Sequence, residues 1–293
     1  MNLMKLVKPF RFEAADGLRL AGIDPGDTCG INRDKATAED MLSAGLRHLN
    51  DLQRRLFAQD RWAILILLQG MDTAGKDGVI RHVLSGVNPQ GCEVHSFGTP
   101  TPDELDHDFL WRAACRLPAR GRIGIFNRSY YEDVLVARVR PDVLGGQHLP
   151  PALVTEDIWR QRFKSIRAFE RHLVRNGTVV LKFHLRISAE EQRKRLLARL
   201  DEPDKRWKFS MADVEDRKLW DRYMDAYEDA IRHTATVKAP WYVVPADQKW
   251  FAWLMVAAVL ADAMERLDLQ FPAIEGEARK ELSKVRAALA DQR

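Results

Sequence analysis

Residues 62–69, WAILILLQ, form an apolar run of strand length that stops at Gly70. Such a run needs apolar cover on both faces, as a central strand of a parallel sheet has. Four further strand candidates follow: EVHSF at 93–97, IGIF at 123–126, TVVLKFHL at 178–185 and WYVV at 241–244. Helical patterns over about 103–116, 154–175 and 188–200 alternate with them, and another from Ser210 onward carries Trp220, Tyr223, Met224, Tyr227 and Ile231 on one face. The alternation predicts an α/β fold with a five-stranded, mostly parallel sheet and helices on both faces. A leading helix is expected over 37–57, and two more within 247–293, the second of them polar. No repeat, low-complexity tract or linker divides the chain, so 1–293 reads as one domain with an N-terminal extension, 1–36, and a polar tail, 274–293.

The strand at 62–69 runs straight into a phosphate-loop pattern. Gly70, Gly75 and Lys76 stand where G-x-x-x-x-G-K-[ST] places them, with a helix-like stretch after Lys76. Between a strand and a helix, successive backbone N–H groups converge on an anion, and Lys76 adds a mobile positive charge. Gly70, Thr73, Ala74, Gly75, Asp77 and Gly78 are therefore candidate phosphate or nucleotide contacts. Asp77 occupies the position whose hydroxyl ordinarily binds Mg²⁺, so a metal must find its ligands elsewhere. Asp72, inside the loop, is the candidate: a carboxylate beside a phosphate repels it unless a cation or proton lies between. Its alternative reading is an Asp that bonds its own turn.

A second cluster follows the third strand, in IFNRSYYEDV at 125–134. The carboxyl end of a strand is the ligand edge of an open α/β sheet. Arg128 there suits a clamp on a phosphoryl group and Asp133 a metal ligand, directly or through water, with Asn127 and Glu132 beside them. A helix start rich in Ser and acids is the plainer alternative.

The formal net charge is only +4, yet residues 111–140 hold seven arginines against two acids, and residues 186–208 hold eight Lys or Arg against five acids. The second segment includes Arg193, Lys194, Arg195 and Arg199. It reads either as a solvated amphipathic helix whose basic residues project outward, or as an arginine-bearing lid, about 188–210, that closes over a transferring phosphoryl group. Cys29, Cys92 and Cys115 have neither disulfide nor zinc spacing, no apolar run approaches the ~18 residues of a membrane span, and MNLMKLVKPFRFEAADG lacks the pattern of a secretory leader. A reducing cytoplasm is expected. Trp220, Tyr223 and Tyr227 lie at core spacing, and His95, His107 and His184 show no triad or metal arrangement.

GMDTAGKDGVIRHVLSGVNPQG, PDELDHDFLWR, PARGRIGIFNRSYYEDVLVARV, WKFSMADVEDRKLWDRYMDAYEDAI and APWYVVPADQKWF, in this order from about residue 30 to 273, resemble the family-2 polyphosphate kinases. Members of that family carry G-x-D-x-x-G-K-D-G in place of the Ser/Thr loop. The resemblance implies a thymidylate-kinase-like α/β/α sandwich with a helical lid. It also implies Mg²⁺-dependent, reversible phosphoryl transfer between inorganic polyphosphate and a nucleotide, with Mn²⁺ as the alternative metal. By motif position Asp72, Lys76, Arg128 and Asp133 correspond to the family's catalytic residues, Asp72 and Asp133 as metal ligands, while Arg193, Lys194 and Arg195 fall in its lid. The wording is nearest the class III subgroup, which phosphorylates both AMP and ADP; Gly98, in SFGTPTP, departs from the lysine of many relatives. Polyphosphate, ADP, AMP and ATP are the implied partners, with no nucleic acid or membrane, and a homo-oligomer, dimer or tetramer, is expected. An anionic acceptor needs no general base, which agrees with the lack of a catalytic histidine. Two rivals stand at this point: an ATP-dependent nucleoside monophosphate kinase, against which Asp77 counts, and a non-catalytic nucleotide- or polyphosphate-binding regulator.

Overall fold

A computed structural model of the chain describes residues 4–15, 17–31, 35–208 and 210–290. Six strands form one sheet: β1 (Arg11–Phe12), β2 (Ala63–Gln69), β3 (Cys92–Ser96), β4 (Ile123–Asn127), β5 (Thr178–Arg186) and β6 (Trp241–Pro245), in the order β1-β6-β5-β2-β4-β3. All neighbours are parallel except β1, which pairs antiparallel with β6. The five expected strands are all present. The sixth adds to them: two residues are too short for any periodicity, and only the partner edge, Trp241 and Tyr242, makes them a strand.

β2 is central, between β4 and β5, and every one of its residues is buried. On one face lie α1 (Lys35–Gln59), α2 (Lys76–Val83) and, packed against both, α7 (Lys249–Glu265). On the other lie α3 (Ile158–Arg175) and α6 (Trp220–Thr234), completing a three-layer α/β/α sandwich. Two helices follow β5: α4 (Ala189–Asp201), capped by the Ser188 hydroxyl on the Glu191 N–H at 3.1 Å, and α5 (Met211–Lys218), capped by Ser210 on Ala212. A last helix, α8 (Gly276–Ala290), has no buried residue.

The helix expected at 103–116 is two single turns instead, Pro102–Leu105 and Trp111–Ala114. Thr101 and Glu104 form a capping box on the first, and the Asp108 carboxylate accepts the Leu110 N–H at 2.9 Å, turning the chain between them. Asp at this position satisfies the backbone locally and so competes with a continuous helix.

Candidate active site

The site is built where β2 and β4 end side by side. After β2, Gly70 passes so close to β5 that a Cβ on it would meet the Leu185 carbonyl oxygen at 2.9 Å, and its φ is +152°. Only glycine fits there. Thr73 follows at φ +64°, and Gly75, at φ +109°, opens α2. The Lys76 ammonium folds back over the loop, donating to the carbonyls of Gly70 at 2.7 Å and Met71 at 3.2 Å. Burial lowers its pKa, as does the nearby Arg128, against the pull of Asp72, Glu132 and Asp77.

Beyond β4, Arg128 is held at φ +64°, with its N–H on the Leu68 carbonyl of β2 at 3.0 Å. A non-glycine residue in that region costs free energy and persists only where its surroundings fix it. Here the result is an arginine aimed across the strand ends: it donates to Asp72 Oδ1 at 2.6 Å and to Glu132 Oε2 at 3.1 Å. Glu132 and Asp72 outweigh the cost of burial and keep the guanidinium firmly charged. Asn127, the last residue of β4, donates to Asp77 Oδ1 at 2.8 Å, so the aspartate in place of the usual hydroxyl residue ties the loop helix to the neighbouring strand.

Asp133 goes elsewhere. Ser129 caps a short 3₁₀ turn, Tyr130–Asp133, which carries the Asp133 carboxylate inward to accept from Gln147 Nε2 at 2.5 Å. Arg162 donates to its backbone carbonyl at 2.6 Å. Burial pushes the Asp133 carboxyl up to about 6, against Arg162 and Arg112. Arg112 in turn donates to the carbonyl of Gly98 at 2.9 Å. The structure thus brings together Asp72, Lys76, Asp77, Asn127, Arg128 and Glu132 and leaves the Asp133 side chain behind them.

One face of α4 meets the loop. Gln192, Arg195 and Arg199, spaced three and four residues apart, turn onto the loop. Gln192 donates to the Asp72 carbonyl at 3.2 Å, and Arg195 to the carbonyls of Thr73, Ala74, Ala246 and Asp247 at 3.0, 3.3, 2.8 and 2.8 Å. Arg199 pairs with Asp213 of α5 at 2.7 Å, and Asp213 lies close enough to Asp72 for each carboxyl to shift the other's pKa. This corrects the outward projection expected for Arg195 and Arg199. Only Arg193, paired with Glu190 at 2.9 Å, and Lys194 face solvent. Asp213 and Gln192 were absent from the sequence candidates. The three-and-four spacing with Arg195 is the signal that reveals Gln192, whereas Asp213, three residues after Ser210, has in sequence the position of an ordinary helix-capping acid.

Two carboxyls in contact cannot both carry full charge without a cation between them. Burial works to raise Asp72, but Lys76, Arg128 and Arg199 hold it below the ordinary carboxylate range. Asp213 is raised, by burial and by Asp72 itself. The described residues contain no cluster of three or more His, Cys, Asp or Glu able to cage a metal. The pair Asp72 and Asp213 nevertheless fits a hard cation of the Mg²⁺ kind, which takes one or two carboxylates and completes its shell with water and substrate phosphates. His184, buried nearby with neither ring nitrogen bonded, has its pKa driven by burial to about 3 and stacks on Tyr227 as a neutral ring.

The family model for polyphosphate kinase 2 (PPK2) matches residues 32–272. An ADP-polyphosphate phosphotransferase of Rhodopseudomonas palustris is 48% identical over 285 residues, covering 97% of this chain and 99% of the relative. An AMP/ADP-polyphosphate phosphotransferase of Meiothermus ruber is 46% identical over 274 residues, covering 94% and 98%. The crystal structure of polyphosphate kinase 2 from Arthrobacter aurescens TC1 superimposes with a TM-score of 0.85 at 40% identity, over 94% of this chain and 95% of that one.

Proposed function

The chain belongs to the polyphosphate kinase 2 family, and from that premise we propose that its polyphosphate-dependent nucleotide kinase reaction takes both ADP and AMP as acceptors, in either direction, with Mg²⁺. Mn²⁺ suits the same oxygen ligands. The observation that carries the reading is the convergence of Lys76, Arg128 and Arg195 on the loop that bears Asp72, with Arg199 paired to the neighbouring Asp213 of α5. An end-to-end meeting of two polyanions needs such charge management more than it needs a base. The relative from Meiothermus ruber supports the pair of acceptors by its name.

In this reading the loop N–H groups from Thr73 to Gly78 receive the oxygens of a terminal phosphate. Lys76 exchanges the carbonyls of Gly70 and Met71 for phosphate oxygens. Arg128, held between Asp72 and Glu132, spans donor and acceptor and stabilises charge on the transferring group. Arg195 keeps α4 clamped on the loop, excluding water. Asp72 and Asp213 would hold the metal, whose positive charge would offset that of the phosphates when bound. The Asp133 carboxylate, with Gln147 and Arg162, acts by fixing the turn that bears Arg128 and Glu132. The acceptor phosphate is already anionic, so no proton has to be removed. No described helix is long and apolar enough to cross a membrane, and the free thiols suit the cytoplasm. A homo-oligomer belongs to the proposal as well, with Leu282, Val285 and Leu289 of α8 as exposed apolar contacts.

Purified protein given Mg²⁺, long-chain polyphosphate and ADP should form ATP, and given AMP should form ADP and then ATP. Transfer from ATP to a nucleoside monophosphate, with none from polyphosphate, would replace this reading by that of an ATP-dependent kinase.

A further inference from the structure

A concave pocket of about 610 Å³ opens between α3 and the turn Thr236–Ala239, at the end of the sheet opposite the phosphate loop. Topology puts it there: α3 ends just before the first residue of β5, and the turn directly precedes β6, which is parallel to β5. Five cations line it, Lys164, Arg167, Arg171 and Arg175 from α3 and Lys238 from the turn. Among the described residues, Arg167, Arg171, Arg175 and Lys238 make no hydrogen bond or ion pair. The one acid in the lining, Glu170, is 2% exposed and engaged by Lys182, Tyr130 and Tyr131.

The helix dipole accounts for Arg175, in the last turn, where a cation is favourable. It does not account for Lys164, Arg167 and Arg171, which lie upstream. Arg167, Arg171 and Arg175 also repeat every four residues, a spacing that stacks like charges on one face and destabilises a helix. Among the described residues no acid pairs with Arg167, Arg171 or Arg175 to offset that repulsion, whereas a bound polyanion does. Between the cationic heads the floor is apolar, made by Ala168, Val174, Val237 and Ala239, and Val237 is 64% exposed. Bare polyphosphate is polar throughout and gains nothing from such a floor; a nucleobase gains from it by burial and by stacking under guanidinium groups. The volume is that of an ordinary small-molecule site.

We propose that this pocket is a second nucleotide site, taking a nucleoside di- or triphosphate with its base on the apolar floor and its phosphates among Arg167, Arg171, Arg175 and Lys238. Its wall is connected to the active edge. Glu170 accepts from the hydroxyls of Tyr130 at 3.1 Å and Tyr131 at 2.7 Å, and these residues begin the turn that carries Glu132 and follows Arg128.

Equilibrium dialysis with labelled ADP, in the absence of polyphosphate, compares the wild type with Arg167→Glu/Arg171→Glu. The double variant should bind one fewer ADP per chain, that site being weakened by roughly tenfold or more, and should still turn over polyphosphate and ADP. The nucleotide bound only by the wild type should be displaced by ATP and resist tripolyphosphate at equal concentration. Equal stoichiometry in the two proteins overturns the proposal, and so does displacement by tripolyphosphate as effective as by ATP. Should the charge reversal disturb folding, Arg167→Gln/Arg171→Gln makes the same comparison. Dialysis reads occupancy alone, so the outcome is separate from whether polyphosphate is the phosphoryl donor.

Discussion

Lys76 and Lys182 are both buried lysines near carboxylates, and the chain uses them in opposite ways. Lys182, on β5, is wholly buried, and its ammonium donates to Glu170 Oε2 at 2.6 Å, the Thr234 carbonyl at 2.8 Å and the Tyr131 hydroxyl at 3.3 Å. An ammonium has three protons, and all three are committed. Lys76 donates only to two carbonyls of its own loop, while Asp72, Glu132 and Asp77 attract it without forming an ion pair with it. Those carbonyls can be exchanged for phosphate oxygens; the Glu170 carboxylate cannot be exchanged for anything. A buried charge built for structure is closed on fixed partners, and one built for function is held by replaceable ones.

The sharpest way to break this contrast is Lys182→Met. It leaves the buried Glu170 carboxyl without its cation, held by the Tyr130 and Tyr131 hydroxyls alone, at a cost of about 3–5 kcal/mol in unfolding free energy, and adding Glu170→Gln should restore part of it. Urea denaturation measures both; a single variant as stable as wild type would remove the distinction. Lys76→Ala should do the reverse, lowering kcat by about 10²–10³-fold while leaving the urea midpoint close to that of the wild type. A midpoint that falls with activity would make Lys76 structural too. Arg195→Ala comes next: four loop carbonyls lose their donor, the lid is no longer clamped, and kcat/KM for polyphosphate and ADP should fall by one to two orders of magnitude.

These expectations rest unequally on what the sequence discloses. β2 and the loop after it are legible because burial on both faces, the two glycines and the lysine are all local and continuous. The same holds for Arg128, which stands at the end of a recognisable strand. Asp133 lies in the same motif, yet its direction depends on Ser129 capping a 3₁₀ turn and on Gln147 and Arg162 waiting inside. Neither is a property of residues 125–134. Arg193 and Arg195 are as alike as two residues can be in sequence, and only the packing of α4 on the loop decides that one meets solvent and the other the carbonyls of Thr73 and Ala74. Asp213 escaped for the same reason: its partners Asp72 and Arg199 are distant in sequence.

The least of the expected effects sharpens the contrast on a single strand. His184 lies two residues from Lys182, on the same face of β5, and is just as buried. Burial lowers the pKa of Lys182, and Glu170 is there to oppose it. His184 has no such partner, and burial, with Arg186 and Lys76 adding to it, lowers its pKa from the ordinary 6.5 to about 3. A depressed pKa for a base means that, as pH falls below 6.5, the unfolded chain takes up a proton that the native state refuses. The contribution is complete above that pH, costs about 1.4 kcal/mol by one unit below it, and continues to be lost toward about 3. Asp133, raised to about 6, works in the opposite sense, protonating first in the native state and adding stability as pH falls toward its ordinary 3.8. The wild-type curve therefore mixes two signs, and His184→Phe deletes one of them. Between pH 7 and pH 5.5 the variant should gain about 1.4 kcal/mol relative to wild type. A stability difference that does not change with pH would mean that the ring is charged inside the fold and has found a partner after all.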